Sequence, residues 1–489
     1  MKRIALAALA LSLSFLGKTS DAMEVTPRDD LLNALQSLTY LYPPASPAHY
    51  DGEPRIAMPQ LQAPMERPQA IVLSGQINKG DADRIIEFHQ NNWTYGQVII
   101  LDSPGGNFIE ALRIGTHLKE LQDPTEGGDV PTFTFLVRKG DQCLSACALI
   151  LAMGGGVGNA LIEKGATVGF HMGILPEEQA ESTAKVRDVM NLTYDIVAEY
   201  TRLIEDGWQS PLLLREALKH RSFDSFFYLR GDMRSWQLGF DPVAKVDTAP
   251  QINQVGLDEG TVMRVCGALM HASSRRLPAE TQHFMASWGD VTPFLPEAAL
   301  RMSDVFDELG SNHISTGFPG EQFSIVTCTV SRSGNGDISI GIYDEDMPGN
   351  YIDKPKCTSD RRVQGWCAVS NGPTYPLTVP LLGDALGCSD GNLLRTVPDD
   401  PDNWVPGWLL RPETRTGTAK RDVNIRATPG LGTSPIGTLF QGTKAEITDC
   451  ALTNDKQGVF FQVRDGGTLG WVSARFLNEE GLFAFPVTN

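Results

Sequence analysis

The sequence predicts an α/β protein followed by two β-containing units, and three observations carry that expectation. Between residues 69 and 248, short apolar runs alternate with amphipathic stretches at the spacing of βαβ units. Residues 249–397 hold runs that alternate apolar and polar side chains, together with five of the eight cysteines. After the proline-containing stretch 398–416, short strand-like runs recur with turn signals about every ten residues as far as 480. A chain of 489 residues accommodates about three domains at ~150 residues each.

The N-terminus is expected to be removed. Lys2 and Arg3 precede a largely apolar run from Ile4 to Leu16, and Ser20-Asp21-Ala22 supplies the small residues of a cleavage site. The run is shorter than the roughly 20 residues that span a bilayer, so residues 1–22 are expected to be a signal peptide. No cysteine follows it to carry a lipid. The expected destination is periplasmic or secreted, where the even cysteine count permits disulfides whose pairing the sequence leaves open. No CxxC pair occurs and no histidine stands at ligand spacing, so neither metal nor cofactor is expected. The net charge of −18, without a basic cluster, argues against nucleic-acid partners.

The elements follow in order. Residues 23–68 hold a short helical stretch around Asp29 to Leu41, and then seven prolines from Pro43 to Pro68 that suit an extended arm. Strands are expected at 70–73, 97–101, 132–137, 160–162 and 166–170. Helices are expected at 81–90, 107–121 and 144–153, with a long amphipathic helix over 178–204. In the middle unit, 323–330 and 337–343 alternate like strands around a turn-rich 331–336. The last unit, 417–480, is expected to place strands at 423–426, 437–439, 444–447, 460–463 and 470–472.

Three features bear on chemistry. Asp102-Ser-Pro-Gly-Gly106 lies between an expected strand and an expected helix, where paired glycines allow a tight turn and unhindered N–H groups. Cys143-Leu-Ser-Ala-Cys147 places Ser145 at a helix start; a serine there is either a nucleophile or an N-cap. His171, at the exit of a short strand, is the side chain best suited to act as base near neutral pH.

Taken in this order, strand–SPGG–helix, strand–CxSAC–helix and strand–His resemble the Clp protease branch of the crotonase superfamily, over about Gln69 to Val246. The resemblance implies a βαβ spiral domain. It implies Ser145 as nucleophile, His171 as base, and the N–H groups of Gly105 or Gly106 and of Ala146 as oxyanion hole. The third triad member is less plain. The family's acidic position falls on Phe227, and Asp224 stands three residues earlier, so Asp224 is expected to complete the triad. A Ser–His dyad with His171 held by a backbone carbonyl is the alternative. Lys164 and Lys185 would serve a Ser–Lys dyad only without His171, and Gly154-Gly-Gly156 lacks the lysine end of a phosphate loop. Cys143 and Cys147 are expected to be a structural pair or a disulfide.

The stretch 417–480, with Val423-Asn-Ile-Arg426 and Gly470-Trp-Val472, resembles bacterial Src-homology-3-like domains, which implies a protein or cell-wall ligand. The whole then reads as an exported serine hydrolase, a peptidase acting on peptide or protein substrates. No ATPase partner is expected outside the cytoplasm, and a homo-oligomer is expected from the superfamily. Two other readings stay open: a catalytically silent binding scaffold, and an acyl-transfer enzyme other than a peptidase.

Overall fold

The computed structural model describes residues 22–42, 67–92, 96–122, 133–155, 160–171, 211–222, 224–245, 257–273, 300–317, 326–344, 374–388, 416–453 and 458–480. It also describes short pieces at 194, 197–198, 201–202, 252, 356–357, 363 and 366–369. All of the expected leader but Ala22, most of the expected helix over 178–204, and the proline-rich stretches 43–66 and 398–415 lie outside the described residues.

The first part of the chain runs β1 (Glu24–Pro27), α1 (Leu32–Gln36), β2 (Leu38–Tyr40), β3 (Ala70–Ser74), α2 (Asp81–Asn92), β4 (Val98–Asp102), α3 (Phe108–Glu120) and β5 (Thr134–Val137). It continues β6 (Gln142–Leu144), α4 (Ala146–Gly154), β7 (Ala160–Glu163), β8 (Thr167–Phe170), α5 (Pro211–Lys219), β9 (Phe227–Leu229), α6 (Met233–Gln237) and β10 (Asp241–Lys245). Seven strands form one sheet in the order β1-β3-β4-β5-β7-β10-β2. Its five central strands are parallel, and β1 and β2 close the two edges antiparallel.

Alternation along these strands sends side chains to two faces. Ile71, Leu73, Ile99, Leu101, Phe135 and Val137 join a core with α2, α3 and α4. Val72, Val98, Ile100, Leu136 and Leu161 join another with Leu35, Leu38 and Tyr40 of the N-terminal segment. Burial on both faces explains why the strands read as unbroken apolar runs.

That N-terminal segment is part of the sheet, where the sequence suggested a helix running to Leu41 followed by an arm. The helix stops at Gln36, and the Ser37 hydroxyl donates to the Ala34 carbonyl at 2.6 Å. Leu38 and Tyr40 instead bury themselves against β10.

A second, three-stranded sheet, β6-β8-β9, stands beside the first, with β6 and β8 parallel and β9 antiparallel. Here the structure departs from the sequence reading again. Leu144 is extended rather than helical, because its N–H bonds to the Ser103 carbonyl at 3.0 Å and α4 starts only at Ala146. Farther along, α6 is begun by a capping box between Asp232 and Ser235.

The middle part holds α7 (Glu259–Ser273), α8 (Met302–Leu309), β11 (His313–Gly317), β12 (Val326–Arg332), β13 (Ile338–Asp344), β14 (Lys356–Cys357), β15 (Trp366–Ala368), β16 (Tyr375–Pro376) and α9 (Val379–Ala385). Its six strands pair in the order β14-β15-β11-β12-β13-β16, and a Cys266–Cys328 disulfide ties α7 to β12. The regular elements of the C-terminal part, among the described residues, are one short turn of 3-10 helix and seven strands: β17 (Thr416–Ala419), β18 (Val423–Arg426), β19 (Pro435–Leu439), β20 (Lys444–Leu452), β21 (Val459–Asp465), β22 (Thr468–Ser473) and β23 (Leu477–Glu480).

These last two parts share one core, which also takes in Tyr42 and Trp236 of the first. The Cys388–Cys450 disulfide and a 2.5 Å ion pair between Lys420 and Asp258 cross the same boundary. No described helix is long and apolar enough to cross a membrane.

Candidate active site

Two adjacent parallel strands bring the site together. β6 and β8 pair with Leu144 opposite Gly169, so the residues just past their C-terminal ends meet although 26 positions separate them. Ser145 follows β6 and His171 follows β8. The His171 Nε2 lies 2.6 Å from the Ser145 Oγ. The other ring nitrogen, Nδ1, lies 3.3 Å from the Ser222 carbonyl oxygen. A carbonyl only accepts, so Nδ1 carries the proton and Nε2 is left to accept from the serine hydroxyl.

Burial holds His171 below the ordinary histidine pKa, with the Ser222 carbonyl opposing that shift and His220 adding to it. The ring is 8% exposed and packs 4.4 Å from Phe226. A neutral imidazole near pH 7 follows, which is the form a general base requires.

Ser145 stands on a sharp strand-to-helix corner. Its φ of 55° makes it the one non-glycine residue with positive φ among the described residues. Its side chain makes no capping bond to α4, so the N-cap role open to it in the sequence is not the one it takes. Its N–H donates to the Gly169 carbonyl at 2.8 Å, which pins the corner to β8. Cys143 and Cys147 bridge across the corner, with Cα atoms 5.1 Å apart and both side chains buried. The bridge forms without distorting a helix, because Cys143 belongs to the strand.

The glycine loop comes against this corner from β4. The Ser103 N–H bonds to the Gln142 carbonyl at 2.7 Å, alongside β6. Gly105 and Gly106 have φ of 92° and 141°, and a Cβ on Gly105 would collide with the Leu144 carbonyl and the Ser145 Cβ. Only glycine fits there, for conformation and for space alike. The two glycines differ in their N–H groups: that of Gly105 donates to the Ser103 Oγ at 3.1 Å. The N–H groups of Gly106 and of Ala146, the first residue of α4, have no acceptor among the described residues. The positive end of the nine-residue α4 adds to the potential at this point.

Asp224 is not brought to the site. It is exposed, and the Nδ1 position it was expected to hold is taken by the carbonyl of Ser222. Phe227, the position on which the resemblance placed an acidic residue, is buried in β9 opposite Phe170. Ser222 had no signal in the sequence, since a backbone carbonyl is common to every residue. Among the described residues no cluster of His, Cys, Asp and Glu is arranged to hold a metal.

Residues 421–478 match the bacterial SH3 domain family. This SH3 domain covers β18 to β22, and four of its large apolar side chains reach solvent, Ile436 and Leu469 on strands and Leu431 and Phe440 on the segments flanking β19, each 46–63% exposed. The domain is tied to the middle part by the Cys388–Cys450 bridge and by Leu452 beside Gly383 of α9. No curated protein matches the chain.

Proposed function

We propose that the chain is an exported serine hydrolase of Clp-like fold, a peptidase working with a Ser145–His171 dyad. One observation carries the reading: Ser145, forced into positive φ and left uncapped at the start of a buried helix, has its hydroxyl 2.6 Å from a neutral, oriented imidazole.

In that reading the Ser145 Oγ attacks the substrate carbonyl carbon as its proton passes to the His171 Nε2. The tetrahedral oxyanion accepts hydrogen bonds from the N–H groups of Gly106 and Ala146. Removing one such donor typically costs about 3 kcal/mol of barrier. The imidazolium, steadied by the Ser222 carbonyl through Nδ1, gives its proton to the leaving amine nitrogen. Water then attacks the acyl-enzyme with His171 again as base. Asp224 has no part in these steps.

The SH3 domain's exposed apolar side chains suit a protein or cell-wall ligand. Its tie to the middle part makes it a fixed recognition arm rather than a swinging one. A silent scaffold is the second reading, favoured by the carbonyl, in place of a carboxylate, at Nδ1.

A fluorophosphonate probe decides between them. Labelling of the mature protein that is lost in both Ser145→Ala and His171→Ala supports the hydrolase. An unlabelled wild type, beside a control hydrolase that reacts, rejects it.

A further inference from the structure

The three-stranded sheet β6-β8-β9 presents two faces. Val168, Phe170, Phe227 and Leu229 fill the buried one. On the other, the row Leu144–Gly169–Tyr228 is set by the strand register, and Phe226 and Arg230 flank Tyr228 at two-residue spacing. The contacts run in series outward from the site. Phe226 lies 4.4 Å from the His171 ring, Tyr228 lies 5.7 Å from Phe226, and the Arg230 guanidinium lies 5.4 Å from the Tyr228 ring.

Tyr228 is 38% exposed, and Arg230 is exposed as well. Arg230 makes one long contact, 3.4 Å to the Thr167 hydroxyl, and forms no ion pair with a carboxylate among the described residues. Gly169 keeps the middle of the face low, since a side chain there would run into Leu144 and Phe226.

We infer that this row is a substrate subsite that takes an extended acidic peptide. An apolar or aromatic side chain packs on Phe226 and Tyr228, and an Asp or Glu two residues farther from the scissile carbonyl meets Arg230. The word scissile rests on the hydrolase reading above; the binding itself does not.

The spacing argues for an extended chain. Side chains two apart on a strand project on one face about 6.6 Å from each other, which matches the two-residue step from Tyr228 to Arg230. Chemistry argues for the carboxylate: a planar guanidinium resting on an aromatic ring keeps its donor edges free for a bidentate acceptor. The overall charge of −18 repels an acidic peptide only at long range. Salt screens that repulsion within roughly 10 Å, so the local pairing decides.

The test uses the full mature chain carrying Ser145→Ala, so that binding is read without cleavage. The probes are fluorescein-labelled alanine-based decapeptides with Phe and Glu two positions apart, and a twin with Gln for Glu. Fluorescence anisotropy is expected to show three- to tenfold tighter binding of the Glu peptide. Adding Arg230→Gln erases that difference, and adding Tyr228→Ala weakens both peptides. The Arg230 backbone carbonyl, which accepts the Gly165 N–H, is untouched by the first change, and circular dichroism checks the fold of each variant. Equal affinities for the twins, no measurable binding of either, or a preference that survives Arg230→Gln overturns the subsite. A Glu preference in a protein that no fluorophosphonate labels leaves the subsite standing and rejects the hydrolase. Labelling without any Glu preference does the reverse.

Discussion

Cys143 and Cys147 are disulfide-bonded across Ser145, one cysteine in the strand that enters the corner and the other in the helix that leaves it. The serine between them holds a backbone conformation that costs on the order of 1–3 kcal/mol for a residue with a side chain. Such a conformation persists only where its surroundings over-determine it. The bridge, the bond from the Ser145 N–H to Gly169 and the packed Gly105 are those surroundings.

The bridge is therefore expected to position the proposed nucleophile Ser145 as well as to stabilise the fold, since a loop this short removes less entropy from the unfolded chain than a long one would. In Cys143→Ala/Cys147→Ala the rate of fluorophosphonate labelling should fall about tenfold or more, while far-ultraviolet circular dichroism stays unchanged. Treating the wild type with a reductant should lower the rate in the same way. A double variant that labels at the wild-type rate would show that Gly105 and Gly169 suffice.

The same strain separates two substitutions that both remove the hydroxyl. Ser145→Gly relieves the positive φ, whereas Ser145→Ala keeps the cost. Thermal unfolding should therefore find Ser145→Gly more stable than Ser145→Ala by about 1 kcal/mol. Equal stability of the two would mean that the corner is not strained in solution.

The His171 environment sets a pH profile. Burial lowers its pKa below the ordinary ~6.5, and the base must be neutral to work. Labelling should be complete above that lowered value and fall away as the pH drops through it, so the midpoint lies below 6.5. His220→Asn removes the smaller contribution and should move the midpoint up slightly, still short of 6.5, since burial is the larger cause. A midpoint at or above 6.5 in the wild type would contradict the burial of the ring.

How much of this was legible beforehand depends on where the determining interactions lie. The alternating strands and helices between Ala70 and Phe170 were readable, because each run buries a face that its own composition declares. The pairing of Ser145 with His171 was implied only by a family resemblance and their distance was not readable; the register of β6 on β8 gives the physical cause of their nearness. The edge strands β1 and β2 were not readable. Leu38 and Tyr40 are strand-forming only because β10, more than 200 residues away, offers them a partner. Nor was the partner of the His171 Nδ1, which is a main-chain oxygen and leaves no trace in residue identity. Gly105 and Gly106 were interchangeable as oxyanion donors until the Ser103 hydroxyl was seen to occupy one of them.

A second buried histidine links the fold to acidity. His89 on α2 is 3% exposed and packs edge-on to Phe133 and to His117 of α3. Neither of its ring nitrogens has a partner within hydrogen-bonding geometry among the described residues, and the nearby Gln97 side chain only partly opposes the effect of burial. Burial first, and then His117, bring its pKa down to about 4. Because the folded value is depressed, the unfolded chain binds the proton more readily. Stability is fully present above ~6.5 and is lost as the pH falls toward 4, by about 3 kcal/mol over that interval. Chemical denaturation at pH 7.5, 5.5 and 4.0 should show the wild type losing about that much more than His89→Leu, which has nothing to protonate at this position. His117→Gln is the control for the pair: the loss should still begin near ~6.5, which the unfolded chain sets, but be smaller, because His117 no longer helps depress the folded value of His89. Parallel losses in the wild type and His89→Leu would place the acid sensitivity in other groups.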